Sequence, residues 1–130
     1  EKIVFTGDTL FALGCGRVFE GSFDMMWDSL EKLLALPDDT IIYCSHEYTK
    51  ANADFAITVD PYNDALGKRR AHITELRAKN IATVPTMMSV EKATNPFMRP
   101  DDPAIRAQLG MENASNKDVF GEIRRRKDAF

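Results

Sequence analysis

The sequence has 130 residues, of which 44% are hydrophobic and 28% charged, and its formal net charge at pH 7 is -3. This composition is ordinary for a globular protein of one domain, or for a piece of one. The negative charge argues against a general nucleic-acid surface, and no apolar run approaches the ~18 residues that indicate a membrane span. We therefore expect neither nucleic acid nor a membrane as a partner.

The first predicted elements form a βαβ unit. Residues 2–7, KIVFTG, are rich in β-branched and aromatic side chains and predict a short buried strand. Residues 8–22 are a loop with three glycines, a type of segment that often carries function. The apolar residues of 23–36 repeat at helical spacing, with Ser22 as a possible cap. Residues 40–45, TIIYCS, predict a second buried strand, which we expect beside the first in one sheet.

After residue 50 the sequence becomes helical. Residues 50–59 and 63–80 predict two helices, and the stretch 81–103, with four prolines, is expected to be mostly irregular. Residues 116–130 predict a terminal helix with Asn116 as its cap. No further strand is expected in this part of the chain.

The two cysteines, Cys15 and Cys44, lie far apart and form no CxxC pattern. This usage favours a reducing, cytoplasmic compartment and predicts packing roles for both thiols.

Two polar residues follow the two predicted strands directly. Asp8 comes after the first strand and His46 after the second, so their side chains can converge at one edge of the sheet. A carboxylate and an imidazole can share a divalent metal, and a carboxylate can also bridge two metals. Glycines at positions 14 and 16 would let the backbone approach a substrate closely. His72, the other histidine, lies within an amphipathic helix and is expected to be a solvated or half-buried structural residue.

Two ligands do not complete a catalytic zinc site, which needs about three protein ligands and a water. The sequence has no HxH or HExxH motif. It also opens directly on a strand, and a strand needs partners. We therefore expect the natural protein to continue upstream and to supply the missing ligands.

Cationic residues near the end of the sequence allow two interpretations. Arg124 and Lys127 are three positions apart and share a helix face. They could offset the helix dipole, or they could bind an anionic ligand together with Arg17 from the glycine-containing loop.

Five segments, in this order, together resemble glyoxalase II, the hydroxyacylglutathione hydrolases of the metallo-β-lactamase superfamily: FTGDTLF, GCGRVFEG, HEYT, TNPFMR and RRRKDAF. The T-H-x-H-x-D-H signature of that family is absent. The resemblance thus implies an α/β fold, the C-terminal part of an αββα metallo-β-lactamase-like sandwich in residues 1–49. An all-α, glutathione-binding domain in residues 50–130 would follow it, and the N-terminal half of the same protein would be a partner.

The resemblance also implies roles for individual residues. Asp8 resembles the aspartate that bridges two divalent metals, with zinc as the first expectation and iron or manganese as alternatives. His46 resembles the last histidine ligand, and Ser45 stands where the family commonly has Gly or another small residue. The residues that resemble the glutathione-binding set are Arg17, Phe19, Tyr48, Arg124 and Lys127, and Phe19 stands where some members have Tyr.

The implied reaction is hydrolysis of the thioester S-D-lactoylglutathione, a small-molecule substrate, to D-lactate and glutathione by a dinuclear metal-bound hydroxide. It would belong to cytoplasmic methylglyoxal detoxification. Two alternatives stay open. One is another glutathione-related enzyme of the superfamily, such as an iron persulfide dioxygenase, and the other is that these residues alone form an inactive fragment.

Overall fold

The computed structural model describes residues 2–17 and 23–130. Within them the strands are β1 (Ile3–Gly7), β2 (Leu10–Phe11), β3 (Gly14–Cys15), β4 (Ile41–Cys44) and β5 (Thr86–Met87). The α-helices are α1 (Phe23–Leu34), α2 (Thr49–Val59), α3 (Asp64–Ala78), α4 (Met88–Thr94), α5 (Pro103–Leu109) and α6 (Asn116–Asp128), and a 3-10 turn spans Pro96–Met98. An α/β part is thus followed by a mostly helical part, as predicted.

The main sheet has the strand order β1-β4-β5. Strands β1 and β4 run parallel, with Phe5 opposite Tyr43, which confirms the predicted βαβ unit. The prediction that both strands are buried is wrong for one face, because Phe5 is 80% exposed and Tyr43 40% exposed while Ile42 is fully buried. Each strand therefore covers the core with one side only.

A larger and a smaller apolar cluster hold the elements together. The larger cluster packs α1 and α6 against the 3-10 turn and the start of the hairpin β2-β3, and its aromatic members include Trp27, Phe97 and Phe120. The smaller cluster joins α2 and α3 to the tip of the same hairpin; its members are Leu13, Ala53, Ala56, Leu66 and Ile73. Both clusters thus reach the segment that follows Asp8.

Several local predictions were wrong. The expected loop after β1 contains the hairpin β2-β3, and β5 adds an antiparallel strand to β4 where no further strand was expected. Helix α4 lies within the stretch expected to be irregular. The cap of α6 is Ser115, whose hydroxyl accepts from the Asp118 amide, and not Asn116. Ser22 lies outside the described residues. Because β5 joins the sheet of the first part, the domain boundary between 49 and 50 stays a prediction.

A buried charged network fixes the tip of the hairpin. Glu91 is fully buried, and its carboxylate accepts hydrogen bonds from the Leu13 amide at 2.8 Å and from Asn95 Nδ2 at 3.1 Å. Arg69 Nη2 lies 2.6 Å from the other carboxylate oxygen, so the buried charge is paired and hydrogen-bonded. Leu13 itself has a left-handed backbone, with φ of 59°. The network therefore holds a turn that an L-residue adopts at a cost.

Candidate metal and anion site

The predicted convergence of Asp8 and His46 is confirmed. Gly7 ends β1 with φ of 51°, a left-handed conformation that glycine adopts readily. The Ser45 amide donates to the Gly7 carbonyl at 3.1 Å and so ties the ends of β1 and β4 together. Asp8 Oδ1 and His46 Nε2 consequently lie 3.2 Å apart. The Ser45 hydroxyl also donates to Asp8 Oδ1, so the serine adds a contact to this pair.

The donor set fits part of a divalent metal site. Two ligands at 2.0–2.2 Å from a tetrahedral zinc are roughly 3.3–3.6 Å from each other, and the observed Asp8–His46 separation of 3.2 Å lies just below that range. Both side chains remain accessible, at 73% for Asp8 and 46% for His46. Within residues 2–17 and 23–130, no group of three or more His, Cys, Asp or Glu residues could hold a metal ion. The pair can thus contribute two ligands and leaves room for others.

Aromatic rings form a wall beside this pair. The His46 ring stacks on Tyr48, with centroids 4.9 Å apart and planes 14° apart. The Phe11 ring lies 5.2 Å from Tyr48 and 5.9 Å from His46. Sequence reasoning did not single out Phe11, although it belongs to the FTGDTLF segment. Its position became clear only with the hairpin, which turns its ring toward the strand ends.

The Asp8–His46 pair opens into a cavity of about 490 Å³. The predicted cationic residues lie in its wall, so the acid–imidazole pair and the cations face one space. The lining residues are Asp8, Phe11, Gly16, Arg17, His46, Tyr48, Ala51, Asn52, Arg124 and Lys127. Phe19, the remaining predicted contact, lies outside the described residues.

The three cations differ in their surroundings. Arg124 is 3% exposed and donates to the Cys15 carbonyl at 2.8 Å and to Asp128 at 3.0 Å. Arg17 is 62% exposed in its side chain and approaches Asp128 only to 3.9 Å. Burial, together with the positive charges of Arg124 and Arg17, holds the pKa of Lys127 below its usual value. Arg124 is therefore built into the fold, whereas Arg17 and Lys127 offer a concentrated positive charge to the cavity.

The glycines of the loop serve close packing inside the chain. A Cβ at Gly16 would lie 1.9 Å from the Asp8 carbonyl oxygen, and one at Gly14 would lie 2.5 Å from Asn52 Nδ2. The approach of the loop to Asp8 and Asn52 thus accounts for both glycines within the described residues. Gly16 also lines the cavity, so the expected approach of this backbone to a substrate stays a prediction. Asn52 also donates to the Ala12 carbonyl at 3.1 Å, which fixes the hairpin to α2.

Cys15 behaves as a packing residue, as predicted. It is buried, and burial raises the pKa of its thiol to about 11, although the neighbouring Arg124 acts in the opposite direction. A thiol with so high a pKa holds its proton at neutral pH and is a poor nucleophile. His72 is exposed on α3 and plays no part in the cavity that Asp8 lines.

The sequence matches two family models in succession. The model described as "Metallo-beta-lactamase superfamily" matches residues 1–46, and "Hydroxyacylglutathione hydrolase C-terminus" matches residues 47–130. The match to the superfamily model implies a divalent metal, and the Asp8–His46 pair suits one. No helix among the residues described in the structure is long and apolar enough to cross a membrane.

Curated relatives carry the same family name. A protein of Rhizobium meliloti (strain 1021) named "Hydroxyacylglutathione hydrolase" is 63% identical over 130 residues, which are 100% of this chain and 51% of that protein. Proteins of the same name from Maricaulis maris (strain MCS10) and Methylococcus capsulatus (strain ATCC 33009 / NCIMB 11132 / Bath) are 61% and 58% identical, again over 100% of this chain and 51% of theirs. The chain thus spans about half the length of the curated relatives it matches. Since the C-terminal model covers residues 47–130, the chain belongs to the hydroxyacylglutathione hydrolase family.

Proposed function

We propose that the protein to which this chain contributes hydrolyses the thioester S-D-lactoylglutathione to D-lactate and glutathione. The proposal rests on one observation. Asp8 Oδ1 and His46 Nε2 lie 3.2 Å apart, and this pair opens into the same cavity as the cations Arg17, Arg124 and Lys127. The first feature suits a divalent metal and the second suits an anionic tripeptide. The relatives named above support the same assignment.

In this proposal Asp8 and His46 would contribute ligands to two divalent metals, zinc in the first place. The remaining ligands come from residues other than those described, and the greater length of the relatives leaves room for them. When bound, such metals lower the pKa of water toward neutrality and polarise a carbonyl group. Asp8 acts through its charge and position and not as a nucleophile.

The other residues of the cavity bind and orient the substrate. Lys127 and Arg17 attract the carboxylates of glutathione, and their positive charges reinforce each other in the cavity wall. Arg124 fixes the loop carbonyls of Cys15 and Gly16 on the same wall. Tyr48, 49% exposed, lines the same cavity. Holding the thioester in one orientation accelerates its hydrolysis because less rotational and translational freedom remains to be lost. A contact from Phe19 stays a prediction.

The test is a hydrolysis assay with S-D-lactoylglutathione, combined with metal analysis. A polypeptide of the length of the curated relatives should hydrolyse the thioester and contain about two metal ions per chain. The 130-residue chain alone should be inactive, and a separately expressed upstream half should restore hydrolysis on mixing. A single bound iron without thioesterase activity would favour a persulfide dioxygenase and contradict the proposal, and hydrolysis by the 130-residue chain alone would contradict the assignment of the missing ligands.

We also propose a cytoplasmic location, with a small molecule and not nucleic acid or a membrane as the partner. The two unpaired cysteines support a reducing compartment. Fractionation of cells that express the protein, with immunodetection, tests the location.

A further inference from the structure

Glu47 lies between two cavity residues but faces away from the cavity. His46 and Tyr48 both line the cavity, whereas Glu47 is not among its lining residues. The Glu47 side chain is 25% exposed, and its carboxylate points toward the segment that follows α3. The middle residue of the His46–Tyr48 turn therefore has a different role from its neighbours.

Both oxygens of this carboxylate are bound by one residue. The Thr83 amide donates to Oε1 at 2.6 Å, and the Thr83 hydroxyl donates to Oε2 at 2.6 Å. The hydroxyls of Thr49 and Thr83 are 2.6 Å apart, and Arg77 Nη1 lies 3.8 Å from Oε1. We call Glu47, Thr49, Arg77 and Thr83 the Glu47 cluster. It joins the turn after β4 to the first residue of α2 and to the end of α3.

Apart from the contact between His46 and Asp8 at 3.2 Å, the side chains of the His46–Tyr48 turn have few anchors as strong as the hydrogen bonds of Glu47. Tyr48 occupies the N-cap position of α2 and makes no side-chain capping bond. The His46 carbonyl accepts only a long contact of 3.5 Å from the Cys44 thiol. Charge-assisted hydrogen bonds such as those of Glu47 are roughly twice as strong as neutral ones. The Ser45–Gly7 bond holds the residue before the turn, and the Asn52 amide donates to the Tyr48 carbonyl at 3.0 Å. Glu47 adds a charge-assisted anchor on the side of the turn that faces the end of α3.

We propose that Glu47 is a positioning residue, which fixes the His46–Tyr48 turn through Thr83 and so aims the His46 imidazole at Asp8. The consequence for metal binding rests on the proposed function, but the consequence for the His46 ring does not. Loss of partners outside the ligand sphere typically lowers metal affinity 10–100-fold, and we expect Glu47→Ala to fall in that range.

The primary test is NMR of the metal-free chain. The chain has only two histidines, so exposed His72 is an internal reference for His46. Stacking on Tyr48 at 4.9 Å should displace the His46 ring protons by ring-current shielding. Glu47→Ala should move the His46 signals toward the values of a free histidine and leave the His72 signals in place.

Two further variants separate positioning from a general loss of stability. Glu47→Gln keeps an oxygen that can accept from the Thr83 amide, so it should retain most of the native His46 shift. Thr83→Val removes the hydroxyl bond to Glu47 and keeps the amide bond. It should displace the His46 signals in the same direction as Glu47→Ala but by less. If Glu47→Ala does not fold, Thr83→Val serves as the test of the proposal. Ser115→Ala removes the α6 cap and costs about 1 kcal/mol of stability, without moving the His46 signals.

The second readout is zinc affinity, measured by chelator competition in a polypeptide of the relatives' length. Glu47→Ala should weaken binding about 10–100-fold, with substantial recovery in Glu47→Gln. The proposal is overturned if Glu47→Ala, or Thr83→Val in its place, leaves the His46 signals unchanged, or if Ser115→Ala displaces them equally. Displaced His46 signals in a protein that hydrolyses no thioester would uphold the positioning role and refute the proposed function.

Discussion

Arg124 and Lys127 are three positions apart on one face of α6, yet their removal should have different effects. We expect Arg124→Ala to lower stability and Lys127→Ala to weaken substrate binding. The Arg124 guanidinium is 3% exposed and donates to two buried carbonyls, those of Cys15 at 2.8 Å and Gly16 at 3.4 Å. It also lies 5.1 Å from the centre of the Phe97 ring. Arg124→Ala should therefore disrupt the contact between α6 and the glycine loop.

The size of the loss follows from these contacts. Charged hydrogen bonds to buried acceptors contribute roughly 1.5–3 kcal/mol, and a cation over a ring about 1 kcal/mol. The ion pair with Asp128 adds at most about 1 kcal/mol, because Asp128 is 43% exposed. The contact with the Gly16 carbonyl is long, at 3.4 Å, so we count one charged hydrogen bond. Arg124→Ala should then cost about 2.5–5 kcal/mol, and a chain of this length should lose about 4 °C of Tm per kcal/mol. We expect a fall in Tm of about 10–20 °C.

Lys127→Ala should behave differently. Its ammonium lies 6.0 Å from the Phe55 ring, at the limit of a cation–π contact, and burial beside Arg124 and Arg17 already disfavours its charge. Its removal should shift Tm by less than about 4 °C while raising KM for the thioester without loss of bound metal.

Thermal unfolding followed by circular dichroism distinguishes the two residues, with Arg124→Lys as the matched control. Lysine keeps the charge but not the planar fork that reaches both carbonyls and Asp128, so it should recover only part of the loss. A Tm for Arg124→Ala within about 4 °C of the unaltered chain, or an equal loss in Lys127→Ala, would refute the reasoning.

The remaining predictions concern the strand ends and the glycine loop. Asp8→Ala should lower zinc affinity by more than about 100-fold, which is beyond the effect of residues outside the ligand sphere. His72→Ala should leave the zinc affinity unchanged. Equal effects of the two variants in a chelator competition would argue against Asp8 as a ligand. At pH 8 a thiol reagent should modify partly buried Cys44 but not buried Cys15 until the chain unfolds. Folding raises the pKa of Cys15 from 9.0 to about 11, so between those pH values the folded chain retains a proton that the unfolded chain loses. The free energy of unfolding should therefore decrease as the pH rises from 9.0 to about 11. The same decrease in Cys15→Ala would exclude this thiol as the origin. Gly16→Ala places a Cβ 1.9 Å from the Asp8 carbonyl oxygen and should cost at least about 2 kcal/mol in urea unfolding, and an unchanged midpoint would contradict the observed packing.

The parts of the fold that follow from local patterns could be predicted from the sequence. The helical spacing of 23–36 gave α1, and the parallel pairing of β1 and β4 followed from the connectivity of a βαβ unit. The meeting of Asp8 and His46 followed in turn, because parallel strands end at the same edge of a sheet.

The parts that depend on distant contacts could not be predicted. Strands β2, β3 and β5 have two residues each, too few for an alternating pattern. The burial of Arg124 depends on a carbonyl 109 positions away in the sequence. The terminal cations therefore looked alike in the sequence, although Arg124 is part of the interior and Lys127 faces the cavity.

The fully buried Glu91 has a consequence for how this sequence can evolve. Its partner Arg69 lies 2.6 Å away, and the Arg69 side chain is only 12% exposed. Replacing either residue alone leaves a buried charge without its partner, which typically lowers the free energy of unfolding by about 3–5 kcal/mol. Replacing both by apolar residues of similar volume removes the two charges together, and the remaining cost is about 1–3 kcal/mol for the buried Leu13 amide, which loses its acceptor. The two positions should accordingly show strong epistasis: homologues should keep both charges or lose both, and the single-charge intermediates should be rare.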